Sequence, residues 1–286
     1  MTAVLAQNNY GKSNVRVLKV KRGKTIHEIK EITVSVQLEG DFKTVHTKGD
    51  NRKVLPTDTM KNTVYALAKD HPLNSIEEYG LYLAEYFLDN NKQVSKVKIE
   101  IEEKLWQRIL QDLHSEKLIP HNHSFVSCGE EKRTAEININ RNETKVKSGI
   151  KDLLVLKTTG SGFENYIKDK FTTLKETDDR VFSTSVKAVW NYANQEVNYI
   201  SICDNIRKII LETFAKHHSL SVQQTLYEIG KNVIEKINDV TEIFLSLPNK
   251  HYLLFNLEQF GLKNDNEIFI PTDEPFGLIE AVVKRK

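Results

Sequence analysis

Strand-like and helix-like hydrophobic patterns follow one another in the same order twice along this chain, and that doubled order most narrows its possible folds. In the first half, Val15 to Val20 and Ile32-Thr-Val-Ser-Val-Gln-Leu38 read as strands. The second alternates strictly and puts Ile32, Val34, Val36 and Leu38 on one face. A helix follows over Thr57 to Lys69, with Met60, Val64 and Leu67 at helical spacing. Another starts at Ser75, whose Glu78 three residues on completes a capping box, and its apolar stripe is Ile76, Tyr79, Leu83, Tyr86 and Phe87. Strands at Val97-Lys-Ile-Glu-Ile101 and a stretch ending in Ile137-Asn-Ile139 close the half.

The second half repeats the order. Strands are expected near Asp152 to Thr158 and Arg180 to Tyr192, where Phe182, Thr184, Val186, Ala188 and Trp190 share a face. A helix carries Ile202, Ile206, Ile209, Ile210 and Phe214, and another begins at Ser221 with Gln224 three residues on. Strands at Thr241 to Leu247, Tyr252 to Leu257 and Leu278 to Val283 end the chain. The links between the helix pairs also match: Ala68-Lys69 leads through His71 to Ser75, and Ala215-Lys216 through His218 to Ser221. Each half is therefore strand, strand, helix, helix, strand, strand, an α+β layer of antiparallel sheet with helices on one face. The halves divide as 10–142 and 143–286. Each leaves long open sheet edges, a liability unless another chain pairs with them, so oligomerisation is expected on physical grounds.

Bulk composition excludes several classes. The chain has 286 residues, 41 Lys plus Arg and 39 Asp plus Glu, for a net charge of only +2. That balance argues against a dedicated nucleic-acid binder. No apolar run approaches the roughly 18–20 residues that a membrane crossing needs. Met1 to Tyr10 lacks the pattern of a signal peptide. Two cysteines, Cys128 and Cys203, far apart in sequence, suggest a reducing compartment without a disulfide framework. The chain ends Val283-Lys-Arg-Lys286 rather than in a peroxisomal address, so a cytoplasmic location is expected.

Several local constellations admit both a plain and a chemical reading. In Leu55-Pro-Thr-Asp-Thr-Met-Lys-Asn-Thr63, Thr57 and Asp58 are good N-cap residues, and they also present a hydroxyl and a carboxylate at a strand-to-helix junction. Gly11 in Tyr10-Gly-Lys12 frees the backbone, so Lys12 is either a solvated lysine or one aimed into a site, where desolvation would lower its pKa and make it a base. In Gly160-Ser-Gly-Phe163 the glycines make a turn, and Phe163 is either a core anchor or an exposed aromatic platform. Arg180 either pairs with its neighbours Asp178 and Asp179 or grips a planar anion through two parallel hydrogen bonds.

At Ser221-Val-Gln223 the first-turn N–H groups of a helix lack helical partners and the helix dipole favours negative charge. Gln223 adds a donor and an acceptor, suited to a heterocycle edge on which C=O and N–H alternate. In Leu247-Pro-Asn-Lys-His251, Pro248 interrupts a strand that must bend, bulge or lie at an edge. Asn249 and His251 would point the same way, and histidine titrates near neutrality. Metal sites look poor, because neither His121-Asn-His123 nor His217-His218 has a third ligand at useful spacing. No Gly-rich phosphate or dinucleotide fingerprint is present.

Taken together, Tyr10-Gly-Lys12, Gly49-Asp-Asn51, Thr57-Asp58 with Lys61-Asn-Thr63, Gly160-Ser161 with Phe163, Thr177 with Asp179-Arg180, Ser221-Val-Gln223 and Leu247-Pro-Asn-Lys-His251 resemble the urate oxidase (uricase) family, in order and with compatible spacing from about residue 10 to the last strand. Asp178 departs from the pattern, standing where many relatives carry tryptophan. The resemblance implies a tunnelling fold (T-fold) of two tandem ββααββ units, with four chains forming a homotetramer. It implies active sites at chain interfaces, with Lys12, Thr57 and Asp58 from one chain and Phe163, Arg180, Val222, Gln223, Asn249 and His251 from its neighbour. The implied reaction takes urate, O2 and water to 5-hydroxyisourate and hydrogen peroxide with no metal or organic cofactor.

The resemblance also implies a role for each residue. Phe163 stacks on the purine, Arg180 and Gln223 hold opposite parts of its edge, and the Val222 N–H adds a further bond. Asp58 supports Thr57 or donates its own N–H. Lys12, Thr57 and His251 form a proton relay, while Asn249 and Thr57 hold dioxygen and later water. Two rivals stand beside this reading. One is an enzyme of the same fold class acting on pterins or a nucleotide base, which would favour a glutamate anchor or zinc. The other is a non-catalytic purine-binding protein, which has no need of Lys12, Thr57 and His251 together.

Overall fold

The computed structural model describes residues 2–112 and 118–286. The chain forms two compact units, Met1–Gly149 and Ile150–Lys286. In the first, β1 (Tyr10–Arg22), β2 (His27–Gly40), β3 (Val94–Asp112) and β4 (Leu118–Asn140) pair antiparallel in that order. Between β2 and β3 lie α1 (Lys43–Lys48), α2 (Thr57–Asp70) and α3 (Ile76–Asn90). The strand β5 (Thr144–Lys157) follows. In the second unit, β6 (Phe182–Tyr192), β7 (Val240–Leu254) and β8 (Phe269–Lys284) pair antiparallel, with α4 (Tyr199–Lys216) and α5 (Val222–Lys236) between β6 and β7. This is the α+β T-fold of two tandem ββααββ units.

The alternation over 32–38 explains the first core. Val34, Val36 and Leu38 stand opposite Ile101, Ile99 and Val97 of β3, which in turn stand opposite Ala135, Ile137 and Ile139 of β4. These cross-strand rows are buried beneath Met60, Val64 and Ala68 of α2 and Ile76, Tyr79, Leu83 and Phe87 of α3. Each fully buried Val, Ile or Leu contributes about 1.5–3 kcal/mol. The expected stripes shift slightly. Ala68 rather than Leu67 completes the α2 face, and Tyr86 is exposed because α3 turns its Phe87 side to the sheet. In the second unit Phe182, Thr184, Val186, Ala188 and Trp190 are all buried, as their shared face requires, under α4 and α5.

The units repeat one another in detail. Ser75 Oγ accepts from Glu78 N–H and Ser221 Oγ from Gln224 N–H, each at 3.1 Å. Lys19 Nζ donates to the Ala68 and His71 carbonyls at the end of α2 (2.8 and 2.5 Å), and Lys157 Nζ to the His217 carbonyl at the end of α4 (2.6 Å). A cation at a helix C-terminus satisfies carbonyls that have no helical donor. His217, not His218, is therefore the counterpart of His71. An added Cβ at Gly80 would lie 2.3 Å from Ile137 Cδ1, and one at Gly230 would lie 2.5 Å from Val283 Cγ2, so both second helices approach their sheets at a glycine.

The sequence patterns do not foresee α1 and the 3-10 turn at Asn51–Lys53. Here Asp50 accepts from the Arg52 backbone N–H and from its guanidinium. The strand expected at 241–247 runs on without a break into the one expected at 252–257 as β7, which ends at Leu254 and leaves 255–257 outside the strand.

Candidate active site

In the first unit, Lys12 and the Thr57–Asp58 junction are held by one hydroxyl. Tyr10 Oη accepts the Leu55 N–H at 2.8 Å, tying the start of β1 to the segment that enters α2. The Tyr10 ring meets Phe42 edge-on at 4.8 Å, and burial raises the phenol pKa. Gly11 is required by sterics rather than by an unusual φ, because a Cβ there would fall 1.8 Å from the Val36 carbonyl oxygen. Directly after Lys12 the pairing of β1 with β2 slips by one residue, with Asn14 at φ 58° and its N–H bonded to Ser35 Oγ at 3.1 Å. Such bulges re-aim neighbouring side chains. Lys12 is half-buried.

Neither Thr57 nor Asp58 caps α2. Pro56 is the N-cap residue, its carbonyl accepts the first helical bond from Met60 N–H at 3.1 Å, and no side chain closes this end. The residue before a proline is held extended, so the chain enters the helix one residue earlier than a Thr57 cap requires. Thr57 is half-buried in the first turn. Asp58 is exposed and bonds to Lys61 Nζ (2.5 Å) and Asn62 Nδ2 (3.1 Å). Its pKa is lowered, mainly by the Lys61 hydrogen bond, and the Lys12 charge also contributes.

In the second unit, Phe163 and Arg180 come together. The Arg180 guanidinium carbon lies over the Phe163 ring, 5.6 Å from its centre, and Tyr166 stacks on that ring at 4.9 Å and 13°. Phe163 N–H donates to the Thr177 carbonyl at 2.7 Å, and Thr177 N–H returns to the Phe163 carbonyl at 3.2 Å. Phe163 is half-buried and thus a platform rather than a core anchor. The expected surface ion pair of Arg180 with Asp178 or Asp179 is not formed. Asp179 instead accepts from Thr159 Oγ1 (3.0 Å to each oxygen) and Gly160 N–H (2.9 Å). Arg180 Nε is buried and has no partner among the described residues, and burial lowers the guanidinium pKa. Leaving a buried donor unmet costs about 1–3 kcal/mol, more for a charged group, so a ligand that meets it is favoured.

Val222 is buried and Gln223 exposed in the first turn of α5, behind the Ser221 cap. The capping box is imperfect, since Gln224 Oε1 accepts the Leu220 N–H at 3.0 Å. The Val222 N–H stays without a helical acceptor, as helix geometry dictates. The matching position of the first unit holds a carboxylate, Glu77. It is only 5% exposed and accepts from Ser148 Oγ at 2.5 Å. A glutamate anchor for an amino-bearing ring is thus not on offer there.

Asn249 and His251 are half-buried on β7, and Ser183, three residues after Arg180, pairs with Lys250 between them. Pro248 does not break the strand. The irregularity lies opposite, where Thr272 to Gly277 of β8 span only His251 to Asn249. Thr184, facing Asn249 across the ladder, has a buried hydroxyl with no partner among the described residues. Among the described residues no group of three or more His, Cys, Asp or Glu could hold a metal ion. The roles of Tyr10 Oη, Tyr166 and the Asp179 carboxylate escaped sequence reasoning. Tyr10 had a signal in Tyr10-Gly-Lys12 and Asp179 one in its place beside Arg180, while Tyr166 had none.

The family model for uricase matches residues 8–138 and 146–280. The chain belongs to the uricase family. It is 43% identical to the uricase of Arthrobacter globiformis over 99% of this chain and 90% of that protein, and 41% identical to the uricase of Dictyostelium discoideum over 99% and 98%. The crystal structure of the Arthrobacter globiformis uricase superposes with a TM-score of 0.94, at 43% identity, covering 100% of this chain and 96% of that one. Urate oxidase from Bacillus sp. TB-90, 24% identical, shares the fold with a TM-score of 0.86 over 97% of this chain and 100% of that one.

Proposed function

We propose that this uricase-family protein oxidises urate with O2 and water to 5-hydroxyisourate and hydrogen peroxide, without metal or organic cofactor, at sites shared between chains of a homotetramer. Family membership makes it an oxidoreductase acting on urate. The observation that carries the finer reading is Arg180, half-buried, whose Nε is buried and unmet among the described residues, and whose guanidinium lies over an aromatic ring and leaves both neighbouring carboxylates unused. A flat anion satisfies both features at once, with its face on Phe163 and its edge on the guanidinium fork. Gln223 and the Val222 N–H hold the rest of that edge. The rows of exposed apolar side chains on β8 support association with further chains.

The chemistry follows from charge. Dioxygen reacts slowly with closed-shell molecules, so the partner must give up an electron readily, and urate stripped of a further proton does so. Lys12, Thr57 and His251 form the relay that removes this proton. Thr57 and Asn249 hold dioxygen over the ring, and Asp58 supports Thr57. A peroxide formed at C5 is displaced by water, whose oxygen becomes the C5 hydroxyl while dioxygen leaves, reduced by two electrons, as hydrogen peroxide. Holding the reactants in register accounts for most of the acceleration.

The domain limits 10–142 and 143–286 are part of this proposal, as is a reducing cytoplasmic setting, supported by a count of only two cysteines. No helix of the described residues is long and apolar enough to cross a membrane. Loss of urate's ultraviolet absorbance with matching release of peroxide, by protein treated with a chelator, is the expected result. A requirement for added iron, copper or flavin would overturn the reading.

A further inference from the structure

We infer that Asp179 is a positioning residue that holds the anion-binding half of the site in register, through the loop at 159–163 rather than through Arg180. This inference rests on the urate reading and deepens it. The Asp179 carboxylate sits where three strips of chain meet. It accepts from Thr159 Oγ1 at 3.0 Å and from Gly160 N–H at 2.9 Å, and its backbone carbonyl accepts from Thr177 Oγ1 at 2.6 Å.

Gly160, at φ 73°, then turns the loop so that its carbonyl takes the Ser219 N–H (2.9 Å) and Gly162 N–H gives to the Ser219 carbonyl (2.8 Å). One residue further, Phe163 exchanges both backbone bonds with Thr177. Ser219 carries the linkage onward, because its hydroxyl donates to the Ser221 carbonyl at 3.0 Å and receives the Thr225 hydroxyl at 2.7 Å. Ser219 and Thr225 are fully buried, so their hydroxyl bond forms away from water, where it is strong, while Asp179 and its bonds to Thr159 and Gly160 lie at the exposed end of the linkage. Phe163, Arg180 and the first turn of α5 with Val222 and Gln223 are thus fixed relative to one another around one carboxylate.

The pairing also settles a charge problem. A carboxylate next to Arg180 in sequence could neutralise it, and an anion would then gain little. By giving its lone pairs to neutral donors, Asp179 stays off the guanidinium and leaves its charge for the ligand. Both Thr159 and Gly160 donate to Oδ1, so asparagine can keep these two contacts and loses only the charge and the second Thr159 contact at Oδ2, whereas alanine removes all three.

The test compares Asp179→Asn and Asp179→Ala with the parent tetramer in urate oxidation, in binding of xanthine (a flat purine dione that lacks the 8-oxo group) and in thermal midpoint. A small misplacement of binding groups costs up to about 100-fold, so KM for urate and the dissociation constant for xanthine should rise between about 10- and 100-fold in Asp179→Ala, and less in Asp179→Asn. The pH profile of kcat should keep the parent's shape, because Lys12, Thr57 and His251 are untouched, while kcat itself falls with the lost register. Unchanged constants overturn the inference. So does tighter xanthine binding, which would make Asp179 a charge that opposes the anion, and so does a fall in thermal midpoint with unchanged constants per folded tetramer. If Asp179→Ala does not fold, Asp179→Ser, which also removes the carboxylate, takes its place. A parent protein that neither oxidises urate nor binds xanthine overturns the urate reading itself, and with it this inference.

Discussion

The Arg180 guanidinium carbon lies 5.6 Å from the centre of the Phe163 ring, and its Nε is buried without a partner among the described residues. The two residues come from different segments, one a glycine turn and the other the approach to β6, and the Phe163–Thr177 backbone bonds bring them together. A cation over a ring gains from the ring's quadrupole, but a guanidinium with unmet donors gains more from an anion.

Arg180→Ala should weaken urate-analogue binding by roughly 2–5 kcal/mol, the range for truncating one partner of a buried charge pair. Arg180→Lys keeps the charge but loses the planar fork, and should recover only part of the loss. Calorimetric titration with xanthine measures both. A change below about 0.5 kcal/mol for the alanine variant is that of an ordinary surface residue and would count against the anion grip.

Lys12→Met should sharply lower turnover while leaving xanthine binding measurable, if Lys12 serves the proposed proton relay and not the grip on the ring. It also removes one of the charges that lower the Asp58 pKa. Steady-state rates beside a binding isotherm separate the two effects, and an unchanged kcat would remove Lys12 from the mechanism.

The helix ends give a contrast in stability. Ser221 caps α5 through Gln224 N–H, so Ser221→Ala should cost about 1 kcal/mol. Thr57 caps nothing, so Thr57→Ala should stay within about 0.5 kcal/mol in stability and yet lose activity. Urea unfolding of both variants checks this. A full capping loss at Thr57 would mean that its hydroxyl closes the helix after all.

That contrast marks the limit of what the chain reveals by itself. The alternation of Ile32, Val34, Val36 and Leu38 and the caps at Ser75 and Ser221 were legible because they depend on neighbours two to four residues away. The start of α2 at Thr57 was legible as well, but its cap was not: Thr57 and Asp58 read as cap residues, whereas Pro56 holds that place and Tyr10 Oη fixes Leu55 before it from 45 residues away. Pro248 read as a break in its own strand, but the partner strand β8 absorbs the irregularity. For Asp179 the sequence left open an ion pair with Arg180, because adjacency is all that it shows, whereas its donors, Thr159 and Gly160, lie about 20 residues earlier.

Glu77 predicts a pH dependence of stability. Burial raises its pKa, although Ser148 donates to it. The folded state therefore keeps this proton at pH values where the unfolded chain has released it. Its contribution to stability is complete below the unfolded carboxylate pKa and is lost as pH rises through the higher folded value. Glu77→Gln cannot titrate, so thermal midpoints measured across that interval should fall less steeply with pH than the parent's. Parallel profiles would show that Glu77 is ionised throughout.

Gly11→Ala places a methyl carbon against the Val36 carbonyl and should destabilise the fold by about 1–3 kcal/mol, the usual cost of overpacking. Because Lys12 follows directly, activity should fall further than the loss of folded protein explains. Activity normalised to folded fraction tests this, and a proportional loss would confine Gly11 to a structural role.

The most direct measurement mixes two inactive proteins. Lys12→Met chains and Arg180→Ala chains are each unfolded, combined and reassembled, and urate oxidation is followed by its ultraviolet absorbance. If each site takes Lys12 from one chain and Arg180 from the next, the mixture regains activity that neither parent has, since some sites draw an intact half from each variant. If mixed assemblies form and remain inactive, both halves of every site come from a single chain, and the shared site is contradicted.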